Sequence, residues 1–247
     1  MNRHLLTIAE LEPEEIAEIL DVTDTMVEVN SRRIPRVPAL RGRTIVSLFY
    51  EDSTRTRISF ETAAKRLSAD VMGFSVGTSS ANKGESVRDT VETLEAMGVD
   101  AIVVRHRSSG VPANIARWSD AAVVNAGDGW HAHPTQALLD AYTLRSRFGS
   151  IDGLNVAIVG DILHSRVARS TIEVLDLLGA EVTLVAPPTL LPPSVEPWNV
   201  RVTHDLDSVL GGVDACYLLR MQGERMNEAH VPSLREYTML YGLTAPG

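Results

Sequence analysis

An alternation of short apolar runs with helical stretches constrains the fold most. Runs rich in Val, Ile and Ala occupy 44–50, 101–105 and 121–125, with a further strand-like run at 71–76. Between and after them lie helix-patterned segments at 54–67, 87–97 and 133–148, and a weaker one after 105. A run apolar on both faces belongs to a strand buried within a sheet, and parallel strands need helical crossovers, so the alternation reads as βαβ units. The turn-forming stretch Phe148-Gly149-Ser150-Ile151-Asp152-Gly153 interrupts it. The pattern then restarts, with strands at 155–160, 181–186 and 214–219, a helix at 167–178 and a proline-rich loop. The expected fold is α/β with two domains, 1–148 and 149–247, each a parallel sheet flanked by helices. A helix should precede them: Pro13, Glu14 and Glu15 suit a first turn, and Ile16, Ile19, Leu20 and Val22 follow at helical spacing.

Composition supports this and excludes other classes. The 247 residues are 44% hydrophobic, enough for packed cores. No apolar run approaches the roughly 18 residues of a membrane span. A formal net charge of -9 disfavours non-specific nucleic-acid binding, which depends on neutralising phosphates. The single Cys216 excludes an internal disulfide framework. The N-terminus resembles neither a signal nor a transit peptide, so a cytoplasmic protein is expected.

Ligands of open α/β sheets bind at the carboxyl ends of the strands. After the first strand, Ser53-Thr54-Arg55-Thr56-Arg57 combines hydroxyls, a helix N-terminus and two guanidinium groups, the chemistry of an anion seat; an N-cap with solvated arginines reads equally well. Arg105 and His106 end the third strand, and the fourth leads into Asn125-Ala126-Gly127-Asp128-Gly129 and then His131-Ala132-His133-Pro134-Thr135-Gln136. Two histidines two apart suggest a metal, but no third ligand stands at a persuasive spacing. Gly160-Asp161-Ile162-Leu163-His164-Ser165-Arg166 has the position of a dinucleotide fingerprint with only one of its glycines. Ser79-Ser80-Ala81-Asn82-Lys83-Gly84-Glu85 reads as a polar loop, a candidate lid with one lysine. Arg55, Arg57, Arg105, Arg166 and Arg220 thus gather at strand ends in an acidic chain, which suggests a substrate with several negative groups.

Ser53-Thr54-Arg55-Thr56-Arg57 with Phe60-Glu61, and His133-Pro134-Thr135-Gln136 with Asp140, in a two-domain α/β order, resemble the aspartate/ornithine carbamoyltransferase family over essentially the whole chain. Lys83-Gly84-Glu85-Ser86 followed by Asp89-Thr90, the 160–170 stretch, and Arg220-Met221-Gln222-Gly223-Glu224-Arg225 are similar to the aspartate branch; an ornithine enzyme would show a Ser-Met-Gly type loop at the last. The resemblance implies transfer of a carbamoyl group from carbamoyl phosphate to L-aspartate, the committed step of pyrimidine biosynthesis, without a cofactor or metal. It implies that Ser53, Thr54, Arg55 and Thr56 cradle the phosphate and that Arg105 bridges phosphate and carbonyl. His133 and Gln136 match the pair at the carbonyl oxygen and carbamoyl nitrogen, and Arg166, Arg220 and Gln222 match the aspartate-binding set. Ser79 and Lys83 match lid residues that enter a neighbouring subunit's site, Lys83 also reaching aspartate, which implies a homotrimer, within or without a larger assembly of regulatory or pathway chains.

The resemblance also implies that the second domain is incomplete, because relatives continue beyond Gly247 through a His-Pro-Gly-Pro segment and a final helix. Three rival readings follow from the same residues: a carbamoyltransferase for ornithine or a related amine, a module that binds without turnover, and a metallohydrolase using His131 and His133.

Overall fold

The computed structural model describes residues 3–51, 53–75, 86–221, 231 and 233–243. The chain divides into two compact units, 1–135 and 136–247. The sequence reading puts the junction at 148/149; by its contacts the helix before that point groups with the second unit.

The first unit opens with α1 (Pro13–Ser31), entered through the expected proline and a capping box in which Glu12 and Glu15 exchange backbone bonds. Then follow β1 (Thr44–Phe49), α2 (Thr54–Arg66), β2 (Asp70–Ser75), α3 (Val87–Ala96), β3 (Ala101–His106), α4 (Val111–Trp118) and β4 (Ala122–Asp128). The four strands form one parallel sheet in the order β2-β1-β3-β4. Its core is the aliphatic cluster the apolar runs require: Val46 and Leu48 of β1, Ile102 and Val104 of β3, and Val123 of β4, covered by Val91 and Leu94 of α3 and Ile115 of α4.

The second unit begins within α5 (Pro134–Phe148) and continues through β5 (Asn155–Val159), α6 (Arg166–Leu177), β6 (Glu181–Val185), β7 (Val200–Thr203), α7 (Asp207–Leu210), β8 (Ala215–Leu218) and α8 (Leu234–Tyr241). Its sheet is also parallel, in the order β7-β6-β5-β8. Ala157, Val159, Val185, Leu206 and Tyr241 form a core cluster there.

Both orders contain a reversal. From β1 the chain adds β2 on one side and β3 on the other; from β5 it adds β6 and β7 on one side and β8 on the other. Loops leaving two neighbouring parallel strands in opposite directions open a crevice at their carboxyl ends, where ligands bind in such sheets. The β1/β3 reversal holds Ser53 and Arg105, and the β5/β8 reversal holds Arg166 and Arg220.

Candidate functional site

In the first unit three adjacent strand ends bring their loops together. β1 and β3 pair as far as Phe49 with Arg105, and the Tyr50 amide donates to the Arg105 carbonyl at 2.9 Å. Beyond them α2 starts at Ser53, and Thr54, Arg55 and Thr56 form its first turn. Ser53 stands at the N-cap but its hydroxyl accepts no bond from the helix, and the first turn carries no acid. At α3, α6 and α8, by contrast, Ser86, Ser165 and Ser233 each accept a backbone bond from the first turn. The backbone N–H groups at the start of α2 are therefore left for another acceptor, and a helix N-terminus of this kind suits an anion.

Arg105, only 12% exposed in its side chain, has Nη2 donating to Glu51 Oε1 at 2.7 Å and Nη1 donating to the Ala126 carbonyl at 3.3 Å. The guanidinium thus ties the end of β3 both to the β1 loop and to the neighbouring strand β4. Glu51 carries no signal of this role in the sequence. No local pattern could have found it, because its partner lies 54 residues away.

The loop after β4 is fixed by Asp128, which is buried. Its carboxylate accepts from Asn125 Nδ2 at 2.8 Å, from the Gly110 amide at 2.7 Å and from the Ala132 amide at 3.1 Å, and His131 Nδ1 lies 3.0 Å away. Burial pushes this carboxyl up, but the bonds from His131, Asn125 and Gly110 outweigh it and hold it below the usual carboxylate value. Gly129 turns the chain at φ +47, where a Cβ would stand 2.7 Å from the Ser109 amide nitrogen. A side chain would collide there, so this loop requires glycine. The Asp-Gly pair reads as an ordinary turn in sequence, which hides the anchor. The loop delivers His133, buried at 7% exposure, to the start of α5. The Thr135 hydroxyl is 3.5 Å from its Nδ1, too far to fix the tautomer by itself. His131, the other member of the pair, is engaged with Asp128. Among the described residues no group of three or more His, Cys, Asp or Glu side chains is suited to hold a metal ion.

In the second unit Gln136 lies in the first turn of α5, its Nε2 donating to Asp140 at 3.0 Å. Arg166 is the first residue of α6 and only 2% exposed. The turn before it is braced by buried Asp161, which accepts from the His164 amide at 3.2 Å and lies 2.8 Å from His164 Nδ1. Gly160 explains why this loop has a single glycine: its φ is +121, and a Cβ would come within 3.0 Å of the Leu219 carbonyl and 2.9 Å of the Tyr237 hydroxyl. The glycine serves close packing of the end of β5 against the end of β8. Leu219 donates to Val159 at 2.8 Å, which holds the chain beside β5 immediately before exposed Arg220. Ser79, Lys83 and Gln222 lie outside the described residues. Among the described residues no helix is long and apolar enough to cross a membrane.

Two strand reversals with cations at their carboxyl ends, the first beside an uncapped helix end, suit a phosphate at one and carboxylates at the other. Residues 3–146 match the family profile described as aspartate/ornithine carbamoyltransferase, carbamoyl-P binding domain. The aspartate carbamoyltransferase catalytic subunit of Acidothermus cellulolyticus is 60% identical over 245 residues, 99% of this chain and 76% of that protein. Aspartate transcarbamoylase from Trypanosoma cruzi, solved with carbamoyl phosphate, superposes with a TM-score of 0.89 at 31% identity, covering 98% of this chain and 79% of that one. The same enzyme solved with carbamoyl aspartate and phosphate gives 0.85 at 33% identity, over 91% and 76% of the two chains. The α/β architecture, the motif order and these likenesses agree, and the chain belongs to the aspartate/ornithine carbamoyltransferase family, on its aspartate branch.

Proposed function

We propose that this chain transfers the carbamoyl group of carbamoyl phosphate to the amine of L-aspartate, yielding N-carbamoyl-L-aspartate and phosphate for pyrimidine synthesis. The observation that carries the reading is the first crevice, where an uncapped helix N-terminus with Arg55 meets Arg105 and the loop of His133 on adjacent strand ends. Domain 1–148 then takes carbamoyl phosphate and domain 149–247 takes aspartate.

In this reading the α2 amides, Ser53, Thr54, Arg55 and Thr56 hold the phosphate, with its oxygens as acceptors. The aspartate amine attacks the carbamoyl carbon, so a C–N bond forms while the carbonyl oxygen gains charge. Arg105, His133 and Thr56 donate to that oxygen, and one well-placed donor of this kind contributes about 3 kcal/mol. The bond from the carbamoyl carbon to the bridging oxygen then breaks, the carbonyl re-forms, and the departing phosphate accepts the amine proton. Gln136 meets the carbamoyl nitrogen. Arg166, Arg220, Gln222 and Lys83 pair with the two aspartate carboxylates, bidentate where arginine is used. Ser79 and Lys83 reach a neighbouring subunit's site, which makes the working unit a cytoplasmic homotrimer, alone or joined to regulatory or pathway chains.

A ureido-product assay with carbamoyl phosphate and either aspartate or ornithine tests the reading. Product with aspartate alone is expected, and Arg55→Ala should lower turnover at least 100-fold, the order of two or more lost charge-assisted bonds. Product with ornithine alone overturns the acceptor assignment, and an Arg55→Ala variant with parental turnover overturns the phosphate assignment.

A further inference from the structure

One helical turn after Gln136 stands a carboxylate with no role in the reaction above. Asp140 accepts from Gln136 Nε2 at 3.0 Å on one oxygen and from the Thr171 hydroxyl of α6 at 3.2 Å on the other. The Tyr217 hydroxyl of β8 donates to it as well. Three elements of the second unit thus each aim a hydrogen at one side chain.

The chemistry of that convergence is directional. A glutamine amide is ambivalent, since a half-turn about its last torsion exchanges a donor for an acceptor in nearly the same place. An ionised carboxylate has no hydrogen to give, so the amide must present its NH2 to Asp140 and keep Oε1 on the other side. Burial raises the Asp140 carboxyl above the usual carboxylate value, and the donors from Gln136, Tyr217 and Thr171, which favour its charged form, offset that only in part. The requirement matters because carbamoyl phosphate and an acetyl analogue share shape and charge. They differ only in an NH2 against a CH3. Rejecting the methyl needs an acceptor whose polarity cannot reverse, since an amide free to turn offers no fixed preference.

We propose that Asp140 is a positioning residue that locks the Gln136 amide with Oε1 as the acceptor for the carbamoyl NH2, making the donor seat selective for a carboxamide over its methyl isostere. The inference rests on the reading that Gln136 meets the carbamoyl group, and its test separates the two.

Calorimetry on the full chain compares phosphonoacetamide with phosphonoacetone, stable phosphonates that differ in that one group. The parent should bind the amide about fivefold more tightly, the order of one net hydrogen bond. Asp140→Asn, whose own amide lets Gln136 turn either way, should bring the ratio within twofold of unity while the phosphonoacetone Kd moves less than twofold. Gln136→Ala should erase the ratio too, and Asp140→Asn should change it no further in that background. An Asp140→Asn protein that keeps the parental ratio, or weakens both ligands equally, overturns the positioning role. A ratio that survives Gln136→Ala, or a parent without one, overturns the Gln136 reading itself. A measurement on the unsubstituted protein guards against misfolding of the variant. The side-chain amide protons of Gln136, assigned by their loss in Gln136→Ala, should include one slowed in exchange at least tenfold relative to free glutamine. Exchange at the free rate for both protons overturns the lock.

Discussion

The two units use one plan and hold their cations in different ways. In the first, the crevice at the β1/β3 reversal is made of a helix end whose cap accepts nothing, exposed Arg55, and Arg105 held by a Glu51 carboxylate 2.7 Å away. In the second, the α6 end is closed by Ser165, whose hydroxyl accepts from Ala168 at 3.1 Å, and Arg166 is buried beside a braced turn. The first crevice therefore offers backbone donors in addition to side chains, whereas the second works through side chains. A phosphate, with several acceptor oxygens around one centre, fits the first arrangement. A carboxylate, planar and matched by one guanidinium fork, fits the second. The first seat also contains its own competing anion in Glu51.

Kinetics can break that division. The largest effect is expected from Arg105→Ala: with the oxyanion role proposed for it, its loss should lower kcat by 100- to 1000-fold, of the order of 3 to 4 kcal/mol. Arg166→Ala should instead raise the aspartate KM roughly 30-fold, the order of one charge-assisted bond, with the carbamoyl phosphate KM within twofold of the parent. Equal losses in both parameters for both variants would show that the crevices do not divide the substrates. A smaller change, Glu51→Gln, sharpens the contrast by removing the internal anion: competitive inhibition by inorganic phosphate should tighten about threefold, by the worth of one part-exposed ion pair. No tightening would mean that Glu51 does not compete for Arg105.

The smallest effect concerns α8. Burial, with Asp161 and Tyr241 adding, pushes the Tyr237 hydroxyl up to about 12. The folded protein then keeps a proton that the unfolded chain releases near pH 10. The stability linked to this group is fully present below that pH and is lost as pH rises from 10 towards 12. In Tyr237→Phe the decline in Tm over this window should be shallower, and an unchanged slope would remove Tyr237 from the cause.

Legibility in the sequence followed burial. β1, β3, β5 and β6 stood out because central parallel strands are apolar on both faces, and the strand ends with their arginines followed from them. β7 escaped: it has four residues, and Arg201 and Val202 are exposed on it. α8 escaped because Leu234, Met239 and Leu240 are exposed and only Tyr241 is buried, so no apolar stripe marks it. The residues of the site are visible as types, but their partners on distant elements are not. Glu51 meets Arg105 across 54 residues, and Thr171 meets Asp140 across 31. Such pairs exist only once the strand order is set.

The strand reversals described above also bear on how such a protein can change. In the proposed reading the arginines that meet the acceptor follow β5 and β8 while the phosphate cradle and Arg105 follow β1 and β3, so rewriting the first pair of loops should alter which amine is accepted and leave the sequence of the others untouched. A lineage can therefore keep one activated donor and try new acceptors, and an engineer can do the same by exchanging two loops while leaving both sheets intact.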